Sequence, residues 1–324
     1  MIPIRDHQIS GSFPVVTYGL IAVNLLVFMV QLQIGLDNQA FFYYFGLVPA
    51  KYTVYELSQR FSLFNHIYSM FTYMFLHGGF LHFLGNMWSL YIFGDNVEDH
   101  FGSVRFLGFY LLCGIISGLC HFFLTTDPMM PTIGASGAIA GVMGAYFLLY
   151  PKARILTLIP IIIIPWFIEV PAFIFLGFWF FLQLVNAAGS SAGAGIAWWA
   201  HIGGFIAGII LVKMNQGLPQ TGVQKSIRQY TEKKRTPRLQ MIAAKGSQDS
   251  WDLQGEIEIT PFESIIGANK TVTIPWGFYN PLYTVKIPPG VKQGTRLRLA
   301  RMGKIKPDGA KGDMYLKVNI KHAG

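Results

Sequence analysis

The chain has 324 residues, 52% of them apolar and 13% charged, with a mean hydropathy of +0.42. An ordinary soluble domain carries about 25% charge, so this composition excludes a disordered chain and argues against a purely soluble globule. Two cysteines exclude a disulfide scaffold, and the formal charge of +9 conceals a split: residues 1–212 carry 6 Lys/Arg against 8 Asp/Glu, residues 213–324 carry 19 against 8.

Charge-free runs locate the membrane, because a span needs about 20 mainly apolar residues at about 1.5 Å each. The 30 uncharged residues between Asp6 and Asp37 hold one span, from about Pro14 to Gln33. The 34 between Arg60 and Asp95 are divided by Gly78-Gly79, which predicts an interfacial segment over 61–78 and a second span over 79–94. Asp95-x-x-Glu98, after Gly94, reads as a capping box that starts a short helix. Arg105 to Asp127 brackets a third span, with Gly114-x-x-x-Gly118 as a packing seam, and Asp127 to Lys152 brackets a fourth. Cys113 and Cys120, seven apart on one helix face, cannot bridge each other. The isoleucine-rich stretch at 155–164 is short and punctuated by Pro160 and Pro165, so an interfacial element is expected there. The 43 uncharged residues after Glu169 hold spans five (about 171–187) and six, separated by a loop-like Asn186–Gly195.

Six spans put both ends on one side, and the Lys/Arg distribution chooses the cytoplasm. Arg5, Arg105, Lys152, Arg154 and the basic tail fall on that side, Lys51 and Arg60 on the other. The first apolar run is long and lacks a small-residue cleavage site, unlike a signal peptide. Residues 214–250 read as a basic juxtamembrane linker, either simply solvated or drawn through 225–245 to anionic lipid heads. No nucleic-acid motif accompanies the charge, so no nucleic-acid partner is expected. From 251 to 324, alternating runs at 256–260, 271–274, 283–287, 296–299 and 314–320, separated by Pro/Gly turns, predict a small all-β sandwich.

Polar side chains inside spans are expensive and therefore functional candidates, although a lone Ser or Asn usually serves interhelical hydrogen bonding. Span four opens Gly134-Ala-Ser-Gly-Ala-Ile-Ala-Gly141 with Ser136 two or three residues into it, and His201 lies near the same, non-cytoplasmic end of span six in Ala200-His-Ile-Gly-Gly-Phe205. The two spans run in the same direction, which sets hydroxyl and imidazole at matching depth. Gly137-x-x-x-Gly141 and Gly204-x-x-x-Gly208 permit close backbone approach beside them. Such a pair suffices for covalent catalysis, His201 taking the proton of Ser136. His82 and Asn86, at i and i+4 on span two, and the Ser136 backbone N–H are candidate oxyanion donors. His77 is a candidate hydrogen-bonding support or a structural residue, and His121 reads as interfacial. No cofactor is expected: metal-ligand spacing and phosphate-cradling loops are both missing from the sequence.

These residues resemble the motifs of rhomboid intramembrane serine proteases over roughly residues 1–213. The carriers are His82-Phe-Leu-Gly-Asn86, Gly134-Ala-Ser-Gly137 and Ala200-His-Ile-Gly-Gly204, with Met1–Asp6 and Gly94–Gly102 also similar to prokaryotic members. The resemblance implies a six-helix, all-α polytopic membrane bundle with a water-filled cavity, Ser136 as nucleophile, His201 as general base, and His82 and Asn86 at the oxyanion site. It implies an endopeptidase acting on transmembrane protein substrates, in a multi-pass protein of the cell membrane. Two features depart from the family. Gln59-Arg60 is the nearest match to a tryptophan-arginine pair in the first loop, and Ala140 stands where some relatives stack an aromatic on the histidine. The tail, through Val285–Leu299 and Gly312–Leu316, resembles a subdomain of the DnaJ C-terminal region, which implies unfolded peptide clients added to a sheet edge. A rhomboid-like pseudoprotease that binds clients is the alternative to an enzyme.

Overall fold

The computed structural model describes residues 1–8, 10–161, 164–189, 196–215, 222–232, 239–242, 245–246, 250–274, 282–307 and 309–321. The chain divides into two compact units, Met1–Gln224 and Lys225–Gly324.

The first unit opens with strand β1 (Ile2–Asp6) and helix α1 (Val15–Ile34), followed by the short helices α2 (Gln39–Phe45), α3 (Ala50–Thr53), α4 (Tyr55–Ser58) and α5 (Leu63–Thr72) and a 3-10 turn over Tyr73–Phe75. Three further helices follow: α6 (Phe80–Phe101), α7 (Ser103–Leu124) and α8 (Ser136–Leu149). Strands β2 (Arg154–Ile161) and β3 (Ile164–Pro171) then lead to α9 (Ala172–Gly189) and α10 (Trp198–Asn215). Three of these helices, α1, α7 and α9, are long and apolar enough to cross a membrane. They carry exposed side chains such as Leu26, Phe123 and Phe181, an outward apolar surface that water would penalise and lipid would not.

Three expectations are corrected here. The all-α description fails because β1, β2 and β3 form an antiparallel sheet. The stretch at 155–164, expected as an interfacial element, is strand over 155–161 and at 164, where β-branched residues favour strands and Pro160 faces Pro165; residues 162 and 163 lie outside the described residues. The separate helix expected at 95 does not exist. Residues 95–98 continue α6, which ends only at Gly102, where φ is +75°. Gly94 is there for packing, since a Cβ at that position would press against Thr17 of α1. Of the expected 186–195 loop, residues 186–189 finish α9 and the rest lies outside the described residues.

Glu98 does something other than cap its own helix. Its buried carboxylate accepts from Val16 N (3.0 Å), Thr17 N (2.8 Å), Thr17 Oγ1 (2.8 Å) and Ser103 Oγ (2.7 Å). The N-termini of α1 and α7, each with orphan N–H groups and a partial positive charge, thus converge on one anion. Glu98→Ala should lower stability by about 1–3 kcal/mol, the sum of a lost cap and an unsatisfied Thr17 hydroxyl, read as a fall in Tm of the detergent-solubilised protein. Nearby, Tyr146 and Asn96 donate to the Asp6 carboxylate at 2.7 and 2.8 Å, tying β1 to α8 and α6. Burial raises the pKa of that carboxyl above its ordinary value.

The second unit joins two sheets over one core. One has the order β5 (Lys245–Gly246), β6 (Leu253–Ile259), β10 (Met314–Ile320), β9 (Arg296–Leu299), and the other β4 (Leu239–Met241), β7 (Ala268–Thr273), β8 (Leu282–Ile287). Ile257, Ile259, Leu316 and Val318 from the first meet Val272, Val285 and Ile287 from the second. Each expected run finds its strand within a few residues, but β6 and β10 pair in parallel, and helix α12 (Pro261–Ile266) fills the crossover that begins after β6. A capping box, Thr260 with Glu263, starts α12. Glu263 also holds the buried Lys270 ammonium at 2.7 Å, so both charges of the core boundary are paired. The elements described within 214–250 are the end of α10, α11 (Gly222–Thr231) and the strands β4 and β5; residues 233–238, the densest basic stretch, lie outside the described residues.

Candidate active site

Two helices meet through glycine. A Cβ on Gly204 would run into the carbonyl of Gly137, one on Gly208 into that of Gly141, and one on Gly144 into that of Phe205. The backbones of α8 and α10 are therefore in van der Waals contact along both small-residue motifs. Gly134 has φ +123°, a conformation that disfavours any side chain, and its N–H donates to Tyr73 O at 2.8 Å. This turn ends the preceding loop and makes Ser136 the first residue of α8, about two residues later than the sequence suggests. The loop before it is fixed by reciprocal backbone bonds between Leu47 and Thr132.

On α10, His201 stands on the face toward Ser136, and its Nε2 lies 2.8 Å from Ser136 Oγ. The other ring nitrogen, Nδ1, lies 2.8 Å from Gln183 Oε1 of α9. Trp179 is tilted against the imidazole with centroids 5.9 Å apart, and Trp198 meets it edge-on at 6.0 Å. These groups hold His201 where the sequence, with Ala140 in place of an aromatic, left its support open.

A cavity of about 640 Å³ lies over this pair, lined by Ser136, His201, His82, Asn86, His121 and the two tryptophans among others. His82 Nδ1 accepts from Gly78 N at 3.3 Å, so in the neutral ring the proton sits on Nε2, the nitrogen beside Gly134. Asn86 Nδ2 is buried and has no hydrogen-bond partner among the described residues. An unsatisfied buried donor is costly, and one facing a cavity beside the Ser136 hydroxyl is free to meet an acceptor placed there. The structure thus brings together all four candidates: Ser136, His201, His82 and Asn86.

His77 is not in the cavity wall. Its backbone N–H and C=O pair with the side-chain amide of Gln31 at 3.0 and 2.9 Å, and its buried ring packs edge-on to Phe83. It has a supporting position behind His82, whose ring centroid is 5.3 Å away. His121, near the end of α7, also lines the cavity. The first loop is anchored by Lys51 instead of Gln59-Arg60. Lys51 Nζ donates to the carbonyls of Tyr43, Tyr44 and Gly46 and to Asn65 Oδ1, at 3.0–3.3 Å. Burial lowers this ammonium to about 8, which leaves it charged at neutral pH. Gln183 and Lys51 escaped the sequence reading, although a polar residue in an apolar span and a cation flanked by a dozen apolar residues were both visible.

Fold and site together define a membrane-type helical unit with a serine and a histidine in one cavity, followed by a strand-rich unit. Residues 65–215 match the family model of the Rhomboid domain and residues 253–324 that of the DnaJ C terminal domain, so the chain carries a rhomboid domain followed by a DnaJ C-terminal domain. Among known proteins it is similar to the rhomboid protease GluP of Bacillus subtilis, 31% identical over 212 residues, which are 64% of this chain and 36% of that protein. It is also similar to RHOMBOID-like protein 6, mitochondrial, of Arabidopsis thaliana, 30% identical over 162 residues (49% and 47%). Rhomboid protein 1, mitochondrial, of Saccharomyces cerevisiae is 29% identical over 145 residues (42% and 38%). The chain spans less than half the length of each of these relatives.

Proposed function

We propose that this protein is an intramembrane serine endopeptidase that hydrolyses a peptide bond in or beside a transmembrane segment of another protein. The observation that carries the reading is the 2.8 Å contact of Ser136 Oγ with His201 Nε2 inside a cavity that His82 and Asn86 also line. His201 takes the serine proton as Oγ attacks the scissile carbonyl carbon. The resulting oxyanion is met by Asn86 Nδ2, His82 Nε2–H and the Ser136 N–H, whose helix N-terminus adds partial positive charge. The imidazolium then protonates the leaving amine as the C–N bond breaks. Water, deprotonated by the same nitrogen, releases the acyl group and restores the serine. Asn86→Ala should lower kcat by about 100-fold or more with KM little changed, measured on a reconstituted substrate.

In the same reading, residues 1–213 form the protease domain with six membrane crossings through α1, α6, α7, α8, α9 and α10, in the cell membrane with both ends cytoplasmic. Residues 214–238 form the basic linker, attracted through its Lys/Arg to anionic lipid; the β domain, expected from 251, starts earlier, because β4 and β5 pair into its sheets. Substrates carry helix-weakening residues near the cut, because a helical carbonyl is otherwise engaged in its own hydrogen bond. Span five, α9, serves as the lateral gate. The test compares membranes holding the wild-type or Ser136→Ala protein by mass spectrometry. A fragment that ends inside a span only with the wild type supports the reading, and identical fragment sets contradict it.

A client-binding pseudoprotease is the second reading, favoured by the DnaJ C-terminal match and by strands β8 and β9, each the last of its sheet and open to strand addition. It predicts no serine-dependent fragment in that comparison.

A further inference from the structure

Covalent catalysis by Ser136 needs His201 in one tautomer and one orientation, and among the described residues no carboxylate is bonded to its Nδ1. The group at that position is an uncharged amide. Gln183 is buried on α9, 5% exposed, and its Nε2 donates to Trp179 O one turn earlier at 3.1 Å. A backbone carbonyl only accepts, which fixes the nitrogen of the amide on that side and turns Oε1 toward His201. Oε1 also only accepts. The 2.8 Å contact therefore requires the proton on Nδ1, and a neutral imidazole with Nδ1–H leaves Nε2 bare, 2.8 Å from Ser136 Oγ.

We propose that Gln183 is the positioning residue of this site, a neutral third member of a Gln183–His201–Ser136 relay of hydrogen bonds; this rests on the dyad reading above. When Ser136 attacks, its proton moves to Nε2 and its Oγ–C bond forms, while Nδ1–H stays bonded to Oε1. When the C–N bond breaks, the same proton leaves Nε2 for the amine. Gln183 neither gains nor loses a proton at any step. It holds the ring in plane and stabilises the imidazolium by a charge-assisted bond. An amide does this without the desolvation penalty of burying a carboxylate in an apolar span. Trp179 contributes twice, through its carbonyl to the amide and through its ring to the imidazole.

The test uses the full chain in liposomes with a fluorogenic transmembrane substrate, comparing wild type, Gln183→Leu, Gln183→Glu and Ser136→Ala over pH 5–9. Gln183→Leu, close in size but without an acceptor, should lower kcat by about 10- to 100-fold with KM within about twofold. Gln183→Glu should recover most of kcat at high pH and move the acidic limb of the profile upward by about one pH unit, because a carboxylate on Nδ1–H favours the protonated base. That shift is a readout that a packing role would not move, and it stands even if the leucine variant fails to fold. Wild-type kcat in Gln183→Leu, or a Gln183→Glu profile with an unmoved acidic limb, would overturn the assignment while an inactive Ser136→Ala leaves the dyad standing. Cleavage by Ser136→Ala would remove the dyad and this assignment together.

Discussion

Replacing Ser136 by alanine should reduce cleavage of a reconstituted substrate by about 10,000-fold or more while leaving substrate binding within about twofold. The hydroxyl is the only atom lost. The Gly134 turn, the start of α8 and the cavity depend on backbone geometry that alanine keeps, so Tm should stay within a degree or two. His201→Ala should be almost as damaging, because nucleophile and base act as one unit and removing either leaves the other without a partner. The double variant should be no slower than either single one, and this non-additivity distinguishes a functional pair from two residues that each support the fold. Rates from single-turnover measurements in liposomes decide the matter.

Gly204→Val should impair both stability and catalysis. The first atom of any side chain at 204 meets the carbonyl of Gly137, which is backbone and cannot rotate away. Either α10 moves out or α8 bends, and overpacking of this kind costs about 1–3 kcal/mol. The strain falls one turn from His201, so a displacement of even 1 Å would break the bond to Ser136 and reduce kcat by about 100-fold. A thermal melt and an activity assay on the same preparation separate the two effects. Gly108→Ala on α7 is the control, since a Cβ there meets nothing within 4 Å and alanine favours the helix. It should keep full activity with an equal or higher Tm.

The long apolar helices of the first unit were legible because lipid-facing and buried surfaces are both apolar, so charge and Gly-Gly bracket them, although α6 runs on past Asp95 to Phe101 and the short helices α2 to α5 carry no such signal. The strands of the tail were legible by alternation. Other features were hidden for physical reasons. A hairpin at 154–171 and a span end look alike in a short apolar run. Asp95-x-x-Glu98 has the spacing of a capping box, but in the fold Glu98 serves two other helices from 81 residues and 5 residues away, a tertiary choice that local spacing does not encode. The crossover helix after β6 covers six residues, too few for a hydrophobic period to show.

At the site, Ser136, His201, His82 and Asn86 could be named in advance because polar residues are rare in spans and helical geometry fixes their depth. Gln183 could not be ranked the same way. Its value comes from a neighbour 18 positions along the chain and from the direction of its amide, which only the Trp179 carbonyl sets. Lys51 likewise reads as a surface cation until four oxygens are found around its ammonium.

Whether His201 activates Ser136 Oγ as a nucleophile is read most directly by covalent trapping. The folded chain in liposomes is treated with a fluorophosphonate and the adduct is mapped by peptide mass spectrometry. One adduct is expected, on Ser136, formed far more slowly in His201→Ala; an unmodified Ser136 in the wild type, or labelling indifferent to His201, would overturn the dyad.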